Sequence, residues 1–267
     1  MGKEISDVII NNPKVIKEPS LGLFKKGLKG AKIARILRKG KVLILELSSG
    51  KSLVIHLRMT GQLVLRLPFS TSPEREKRVE GLVYPGNAKN SRVSFRLSDN
   101  KILDYNDSRI LGELRLLDNW RDLKFIRELG PEPFDLTLDE FKKMLSKKKT
   151  KIKPLLLDQK FMSGVGNLYA AEALFKSRIH PLRQASGLSN KEKENLFSAI
   201  KEILSDAIKH KGSSVDQYVT LTGEKGGYVS YHKVYDREDK PCYVCKALIK
   251  RIALAGRGTY FCARCQK

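Results

Sequence analysis

Four cysteines near the C-terminus form the strongest chemical pattern in this sequence. They are arranged as two Cys-x-x-Cys pairs, Cys242 with Cys245 and Cys262 with Cys265, separated by 16 residues. Two such pairs allow four thiolates to surround one Zn²⁺ tetrahedrally, and the segment between them is long enough for a hairpin. Two disulfides or a redox dithiol would use the same residues, but no thioredoxin-like βαβ pattern surrounds them. The spacing favours one structural zinc ion, because a closed set of four cysteines leaves no open position for catalysis.

A second pattern is a glycine-rich segment, Gly164-Val165-Gly166-Asn167, that leads directly into a predicted helix. Main-chain N–H groups at a helix N-terminus form a binding site for phosphate. The alternative is an ordinary loop in which Asn167 caps the helix. The preceding segment 147–153 is rich in lysine and contains no acidic residue. Lysines beside such a loop favour the phosphate-binding interpretation, because neutralising a polyanion releases its counterions.

The composition also indicates a polyanionic partner. The chain has 267 residues, with 52 Lys and Arg against 29 Asp and Glu, and a formal net charge of +23. This charge attracts nucleic acid or an anionic membrane, and it excludes a small neutral substrate as the whole of the function. No apolar segment approaches the roughly 18 residues of a membrane span, and the N-terminus lacks the pattern of a signal peptide. We expect a globular cytoplasmic protein without a membrane partner, and a monomer by default.

The pattern of apolar residues divides the chain into a β-rich part and a helical part. Alternation between turns predicts strands at Asp7–Ile10, Ala31–Leu37, Val42–Leu47, Ser52–Leu57, Gln62–Leu65, Arg92–Leu97, Lys101–Tyr105 and Leu111–Leu116. After the stiff connection Leu129–Pro133, the period changes and predicts helices at 137–145 and 152–159, from Asn167, and from the capping box Ser189-x-x-Glu192 to Gly212. The domain boundary is therefore expected near residue 130.

Several segments resemble the formamidopyrimidine-DNA glycosylase and endonuclease VIII family. They are Ser163–Arg183, Leu129–Pro133, His56–Gly61 and Gly256–Cys262. The resemblance follows the family's motif order from about residue 2 to 267, and the segments 129–133 and 212–235 are more similar to the formamidopyrimidine branch. It implies an α+β protein with an N-terminal β-sandwich domain (1–118), a linker (119–136), a helix-two-turn-helix domain (137–223) and a zinc finger built as a zinc-ribbon β-hairpin (224–267).

The resemblance implies base-excision repair of damaged double-stranded DNA. Members of the family flip out the damaged nucleotide, cut its glycosidic bond and nick the strand by β,δ-elimination, and they act on oxidised purines such as 8-oxoguanine and formamidopyrimidines. By position, Lys41 matches the lysine that contacts phosphate at the lesion and assists proton transfer. Arg257 matches the zinc-finger arginine that binds the same phosphate. Without the resemblance, Lys41 is an ordinary surface lysine at the end of a strand.

The resemblance also assigns residues that read and hold the DNA. Met59 matches the side chain inserted into the gap left by the flipped base, although its pattern alone is typical of a core residue. Arg109 matches the arginine that pairs with the orphaned base, and Leu111 occupies the position of an aromatic wedge. The expected contacts to the DNA backbone are Asn90, Lys148 and Asn167.

Some of these positions depart from the family's pattern. Leu111 replaces the usual aromatic residue, Ile110 stands where arginine is common, and Asn90 stands where histidine is frequent. Leucine stacks less well than an aromatic ring, so we expect weaker discrimination among opposite bases. The preferred lesion stays open.

The N-terminal residues differ from the family as well. Members begin with Pro-Glu after the initiator methionine, and the proline amine attacks the deoxyribose C1′, whereas Gly2 and Lys3 follow Met1 here. The segment 1–8 resembles the family's first strand, one helix downstream of the usual start. Because loss of that helix would expose apolar surface, we favour a start placed too late over a true loss.

Two other functions are alternatives to the enzyme. One is binding of damaged DNA without cleavage. The other is a zinc-ribbon module for RNA, which fits the composition but not the motif order.

Overall fold

The computed structural model describes residues 2–66, 90–215 and 217–267. Met1 and Asp216, which belong to the segments 1–8 and 212–235 discussed above, lie outside the described residues. The chain divides into two compact units, Met1–Arg127 with Ser213–Gly227 and Glu128–Gly212 with Tyr228–Lys267. This division crosses the expected boundaries, because residues 119–127 and 213–227 belong to the same unit as the strands.

The first unit is a sandwich of two sheets. Its strands are β1 (Ile5–Ile10), β2 (Ile16–Glu18), β3 (Ile33–Lys39), β4 (Val42–Leu47), β5 (Ser52–His56), β6 (Gly61–Arg66), β7 (Ser91–Leu97), β8 (Ile102–Asp107) and β9 (Glu113–Leu117). One sheet has the order β1-β7-β8-β6 and the other the order β2-β9-β5-β4-β3. Strand β2 is parallel to β9, and the other neighbouring strands pair antiparallel. Both sheets contribute buried side chains to one core, as alternating apolar patterns require.

The predicted strands are confirmed, with ends within two residues of those observed. The last of them begins at Glu113 and not at Leu111, because the backbone at Ile110 has φ +57° and forms a turn. The sequence did not indicate β2 or the helix α1 (Leu21–Leu28). Gly27 in α1 lies so close to the sheet that a Cβ there would approach Leu116 Cδ2 to 2.7 Å.

Two segments that follow the strands in sequence complete this unit. The 3-10 helix Trp120–Asp122 and the short helix α2 (Lys124–Arg127) cover the outer face of the five-stranded sheet, where Ile126 joins a buried cluster with Val42, Ile44 and Val54. The segment 213–227 lies along β6, where the Leu65 N–H donates to the Leu221 carbonyl at 2.8 Å. Long-range pairing of this kind leaves no local signal in the sequence.

The second unit contains most of the helical residues and the C-terminal hairpin. Its helices are α3 (Leu138–Ser146), α4 (Ile152–Leu157), α5 (Asn167–Lys176) and α6 (Asn190–Lys209), and the hairpin consists of β10 (Lys250–Leu254) and β11 (Arg257–Phe261). The capping box predicted at Ser189 is confirmed, and a second one begins α3 at Thr137. Gly212, with φ +83°, ends the long helix by donating its N–H to the Ala207 carbonyl at 2.7 Å. None of the helices in the described ranges is long and apolar enough to cross a bilayer.

Candidate nucleic-acid interface and metal centre

The four cysteines converge on one point in the second unit. Their sulfur atoms all lie within 4.8 Å of one another, with Cys242 Sγ 3.9 Å from Cys265 Sγ and Cys245 Sγ 3.4 Å from Cys262 Sγ. Four sulfurs bound tetrahedrally to Zn²⁺ at 2.3 Å would be about 3.8 Å apart. None of the four is in a disulfide. The donor set and its spacing therefore fit one zinc ion.

The acidity of these thiols supports the same conclusion. A hydrogen bond from the Ala247 main chain lowers the pKa of Cys245 to about 7, whereas burial and the neighbouring thiols raise the pKa of Cys265 to about 12. One thiolate therefore forms readily, and further negative charge beside it is unfavourable. A divalent cation between the sulfurs would remove that penalty.

The glycine-rich loop before α5 is held by one side chain. Gln159 accepts a hydrogen bond from the Gly164 N–H at 3.0 Å, and its own amide donates to the Val165 carbonyl at 3.0 Å. Gly164 has φ +90°, a conformation that glycine adopts without strain. Gly166 is the N-cap, and its position has no side-chain cap hydrogen bond, so the alternative in which Asn167 caps the helix is wrong. The N-terminus of α5 therefore keeps main-chain N–H groups available to an anion.

Asn167 instead connects α5 to the zinc hairpin. Its side-chain amide donates to the Gly258 carbonyl at 3.1 Å, and the Lys153 ammonium donates to the same carbonyl at 3.2 Å and to Thr259 Oγ1 at 2.7 Å. These bonds fix β11 against the N-terminus of α5. Arg257, the exposed residue preceding Gly258, is thereby held close to the glycine-rich loop before α5.

Lys153 differs from the other lysines of the run 142–153. Only 1% of it is exposed, whereas Lys148 lies on the surface in the turn after α3. Burial, together with the smaller effect of the positive charge of Arg257, lowers the pKa of Lys153 to about 8. Lys153 is therefore not one of the surface lysines of this segment that a polyanion could contact. The hydrogen bonds that join α5 to the hairpin do not involve Lys148.

In the first unit, the loop between β5 and β6 presents Met59 to solvent. The side chain is 65% exposed, so the alternative that Met59 is a core residue is wrong. The loop is closed by the Gly61 N–H, which donates to the Leu57 carbonyl at 2.9 Å. Arg58 has φ +52°, and its guanidinium donates to Glu113 Oε1 at 2.7 Å. An exposed apolar side chain on a turn fixed in this way is suited to insertion between bases.

The loop between β8 and β9 lies beside the Met59 loop. Gly61, the first residue of β6, is the cross-strand partner of Asp107, the last residue of β8. Arg109 is exposed in the following loop, and Leu111 is 43% exposed. Asn90 is half-buried, and its main-chain carbonyl accepts the Asp107 N–H at 2.9 Å. The structure thus brings four of the expected DNA-binding residues to one edge of the sandwich.

Lys41 lies in the turn between β3 and β4, where Gly40 has φ +56°. It is exposed, and the next residue, Val42, pairs with His56 at the end of β5. Burial and the positive charges of Arg58 and Lys41 lower the pKa of His56 to about 4, so its imidazole is neutral near pH 7. His56 Nδ1 accepts the Arg58 N–H at 3.1 Å, which assigns the ring hydrogen to Nε2.

Three family models match the chain. They are the formamidopyrimidine-DNA glycosylase N-terminal domain over residues 1–114, the formamidopyrimidine-DNA glycosylase H2TH domain over 129–219, and the zinc finger found in FPG and IleRS over 239–267. The formamidopyrimidine-DNA glycosylase of Desulforamulus reducens is 39% identical over 100% of this chain and 92% of its own length. The chain belongs to the formamidopyrimidine-DNA glycosylase family. The enzyme of that name from Pelotomaculum thermopropionicum is 38% identical over 100% of this chain and 92% of its length.

Solved structures of formamidopyrimidine-DNA glycosylases have the same fold. MutM (Fpg) of Thermus thermophilus superimposes with a TM-score of 0.82 at 31% identity, covering 100% of this chain and 92% of that one. The Lactococcus lactis Fpg in a complex with abasic-site DNA gives a TM-score of 0.86 at 31% identity, covering 100% and 93%. The expected α+β fold is confirmed, and the four cysteines are the zinc site of the family's zinc finger.

Sequence reasoning gave no role to three residues that the structure places at these sites. His56 is the first residue of a segment that resembles the family, Lys153 is the last residue of the lysine-rich segment 147–153, and Asp107 lies two residues before Arg109. The signal for His56 was its position at a strand end beside the turn of Lys41. The partners of Lys153 and Asp107 include residues far away in the sequence, so no local pattern could have identified them.

Proposed function

We propose that this chain is a bifunctional DNA glycosylase and AP lyase of base-excision repair. It removes oxidised purines, 8-oxoguanine and formamidopyrimidines, from duplex DNA and nicks the strand by β,δ-elimination. The observation that carries the proposal is the full-length similarity to formamidopyrimidine-DNA glycosylases, including the L. lactis protein seen with Fapy-dG DNA and with abasic-site DNA. We place the protein in the cytoplasm and expect it to act as a monomer.

The exposed residues at the edge of the sandwich support recognition of a flipped nucleotide. Met59 is the wedge that fills the gap in the base stack, because it is apolar, slim and 65% exposed. Arg109 reads the orphaned base with its forked guanidinium donors, and the partly exposed Leu111 supports the unstacked step. Asn90 binds the DNA backbone beside them. These roles need side chains that reach the duplex from turns of fixed shape, as observed here.

The second unit supports binding of phosphate. Asn167 stands at the N-terminus of α5, where main-chain N–H groups and the helix dipole favour an anion. Arg257 is exposed beside it and binds the phosphate at the lesion, and Lys148 adds a contact to the backbone. The zinc ion holds the hairpin on which Arg257 lies. These contacts position the DNA and carry no base specificity.

Lys41 is the residue of the first unit assigned to chemistry. It is exposed in a tight turn beside His56, whose imidazole is neutral near pH 7 and adds no positive charge there. Lys41 binds the phosphate at the lesion and assists proton transfer when the glycosidic bond breaks. Replacing Lys41 with alanine removes both contributions, whereas Lys39→Ala, in the same turn region, serves as the matched control.

The decisive experiment is covalent trapping with the protein purified from its own cells, after its intact mass and N-terminal sequence have been measured. Duplexes with 8-oxoguanine or Fapy-dG opposite cytosine are incubated with cyanoborohydride, and an undamaged duplex of the same sequence is the control. We expect a damage-dependent covalent adduct and a strand nick, because an amine that attacks C1′ forms a reducible Schiff base.

Other results would contradict the proposal in distinct ways. A shift of damaged duplex without adduct or nick would identify a protein that binds damaged DNA without cleaving it. Equal binding to both duplexes, without an adduct, would refute a role in damage recognition. The relative yields with the two lesions establish which oxidised purine is preferred.

A further inference from the structure

The side chain of Asp107 occupies an unusual position for a carboxylate. Asp107 is the last residue of β8 and is fully buried, with 0% of its surface exposed. Its carboxylate accepts hydrogen bonds from two different loops. Thr60 Oγ1 donates to Oδ1 at 2.5 Å, and the Arg109 N–H donates to the same oxygen at 3.3 Å. The Gly112 N–H donates to Oδ2 at 2.7 Å. A buried carboxylate is tolerated only when donors satisfy it, and here they come from both loops.

These donors adjoin the proposed reading residues. Thr60 directly follows Met59 and is 7% exposed, so its hydroxyl anchors the end of the Met59 loop in the interior. The two N–H donors enclose the segment from Arg109 to Leu111. One carboxylate therefore fixes the wedge loop and both ends of the loop that carries the base-reading arginine.

The main chain of Asp107 is itself held in place. Its N–H donates to the Asn90 carbonyl at 2.9 Å, and its carbonyl accepts a hydrogen bond from Arg92 Nε at 2.6 Å. The loop that it anchors contains Ile110 at φ +57°, a left-handed conformation that a β-branched residue rarely adopts. Such a backbone persists only where the surrounding contacts determine it. The carboxylate supplies those contacts on each side of Ile110.

We propose that Asp107 is a positioning residue that couples the Met59 loop to the Arg109–Leu111 loop, so that the wedge and the base-reading side chains enter the duplex as one rigid element. The proposal rests on the proposed function and adds the residue that organises recognition of the lesion. Loss of the coupling weakens binding at the lesion, where these side chains act. It leaves binding to undamaged duplex unchanged, because the exposed Lys148 and Arg257 contact phosphates independently of this carboxylate.

The test compares Asp107→Asn, Thr60→Val and Thr60→Ser. The amide of Asn has the shape of the carboxylate but directs an NH₂ group at a donor, and valine removes only the Thr60 hydroxyl while keeping the volume. Serine keeps the hydroxyl and is the conservative control. Binding is measured with a duplex that contains a tetrahydrofuran abasic analogue opposite cytosine and with the undamaged duplex, so the readout does not depend on cleavage. Circular dichroism verifies that each variant is folded.

We expect Asp107→Asn and Thr60→Val each to lower affinity for the abasic duplex by at least 10-fold, with affinity for undamaged duplex within 2-fold of the wild type. Thr60→Ser retains the wild-type affinity for both. In the double variant, Thr60→Val adds little to Asp107→Asn, because both changes break the same tether.

Three results would overturn the proposal. In the first, the affinity of Thr60→Val for the abasic duplex is within 2-fold of the wild-type affinity. This result would overturn the proposal even if Asp107→Asn does not fold. In the second, affinity for both duplexes falls equally, which indicates general loss of structure. In the third, the effects of the two changes are additive. A wild-type protein without preference for the abasic duplex would instead refute the proposed function itself, and the coupling with it.

Discussion

Replacing the buried Lys153 with methionine tests the electrostatic description of the second unit. Its ammonium is enclosed beside the zinc hairpin, and burial, assisted by Arg257, lowers its pKa from the ordinary 10.5 to about 8. Below pH 8 the folded protein therefore carries a buried charge at a cost in free energy. Between pH 8 and 10.5 the folded state has lost this proton while the unfolded chain still holds it, so the free energy of unfolding rises with pH.

The magnitude follows from the two pKa values. A change from 10.5 to about 8 corresponds to at most about 3.4 kcal/mol. Solvent that reaches the ammonium during local motion reduces the effect, so we expect about 2 kcal/mol. Wild-type stability should rise by this amount between pH 7 and 10 relative to Lys153→Met. The variant keeps a side chain of similar length and removes the titrating group.

Urea unfolding at pH 7, 8.5 and 10 measures this difference. Far-UV circular dichroism follows the second unit, which contains most of the helical residues, and the fluorescence of Trp120, the one tryptophan of the chain, follows the first unit as an internal control. The fluorescence transition should have the same pH dependence in wild type and variant. Parallel dichroism curves for the two proteins at all three pH values would refute the argument.

Other variants test the remaining elements of the two units. Cys262→Ser should release the zinc ion and abolish binding to damaged duplex, as measured by metal analysis and gel shift, because structural zinc contributes folding energy of about 10 kcal/mol or more; retention of both metal and binding would contradict the structural role. Lys148→Ala should reduce the slope of log affinity against log salt by about 1, as expected for one lost phosphate contact, whereas Lys191→Ala on the exposed part of α6 should change it little. Gly61→Ala should lower the stability of the first unit by about 2 kcal/mol or more in thermal unfolding, because its Cβ would lie 2.4 Å from the Leu57 carbonyl oxygen, and an unchanged Tm would show that the loop shifts freely.

The features that the sequence predicted correctly depend on residues that lie within a few positions of one another. The spacing of Cys242 and Cys245 is a local geometric requirement for two sulfurs on one metal, and the structure contains that cluster. The capping box at Ser189 is likewise a pattern of four residues, and α6 begins where it indicates. The short apolar run Val42–Leu47 was likewise located at the observed ends of β4.

The features that the sequence missed depend on contacts between distant segments. Helix α1 contains two glycines and begins at Ser20 without a side-chain cap, so its formation depends on burial of Phe24 and Leu28 against the sandwich. Residues 213–227 belong to the first unit because they lie along β6, more than 140 residues earlier in the chain. Periodicity within a window carries no information about such pairing.

At the candidate sites, the sequence was a poor guide to which side chains are buried and which are exposed. Met59 lies between apolar strands and has the pattern of a core residue, yet it is 65% exposed because Arg58 adopts a left-handed turn. Lys153 ends a lysine-rich segment of the kind that usually lies on the surface. It is buried nonetheless, because carbonyl and hydroxyl acceptors on the zinc hairpin satisfy its ammonium. In both cases the type of the residue opposes its environment, which is common where side chains serve a function.

The residues proposed to contact DNA are supported in the same way in both units. A side chain that must reach into DNA cannot be held by packing of its own, so its main chain has to be fixed from a neighbouring position. In the first unit, buried Asp107 fixes Thr60 and the backbone of Arg109, which places Met59 and the Arg109 guanidinium in solvent on rigid turns. In the second, buried Lys153 fixes the residues that follow the exposed Arg257. Because the backbone is ordered before the DNA arrives, binding loses less conformational entropy, and more of the interaction energy remains to bend the duplex and unstack the lesion.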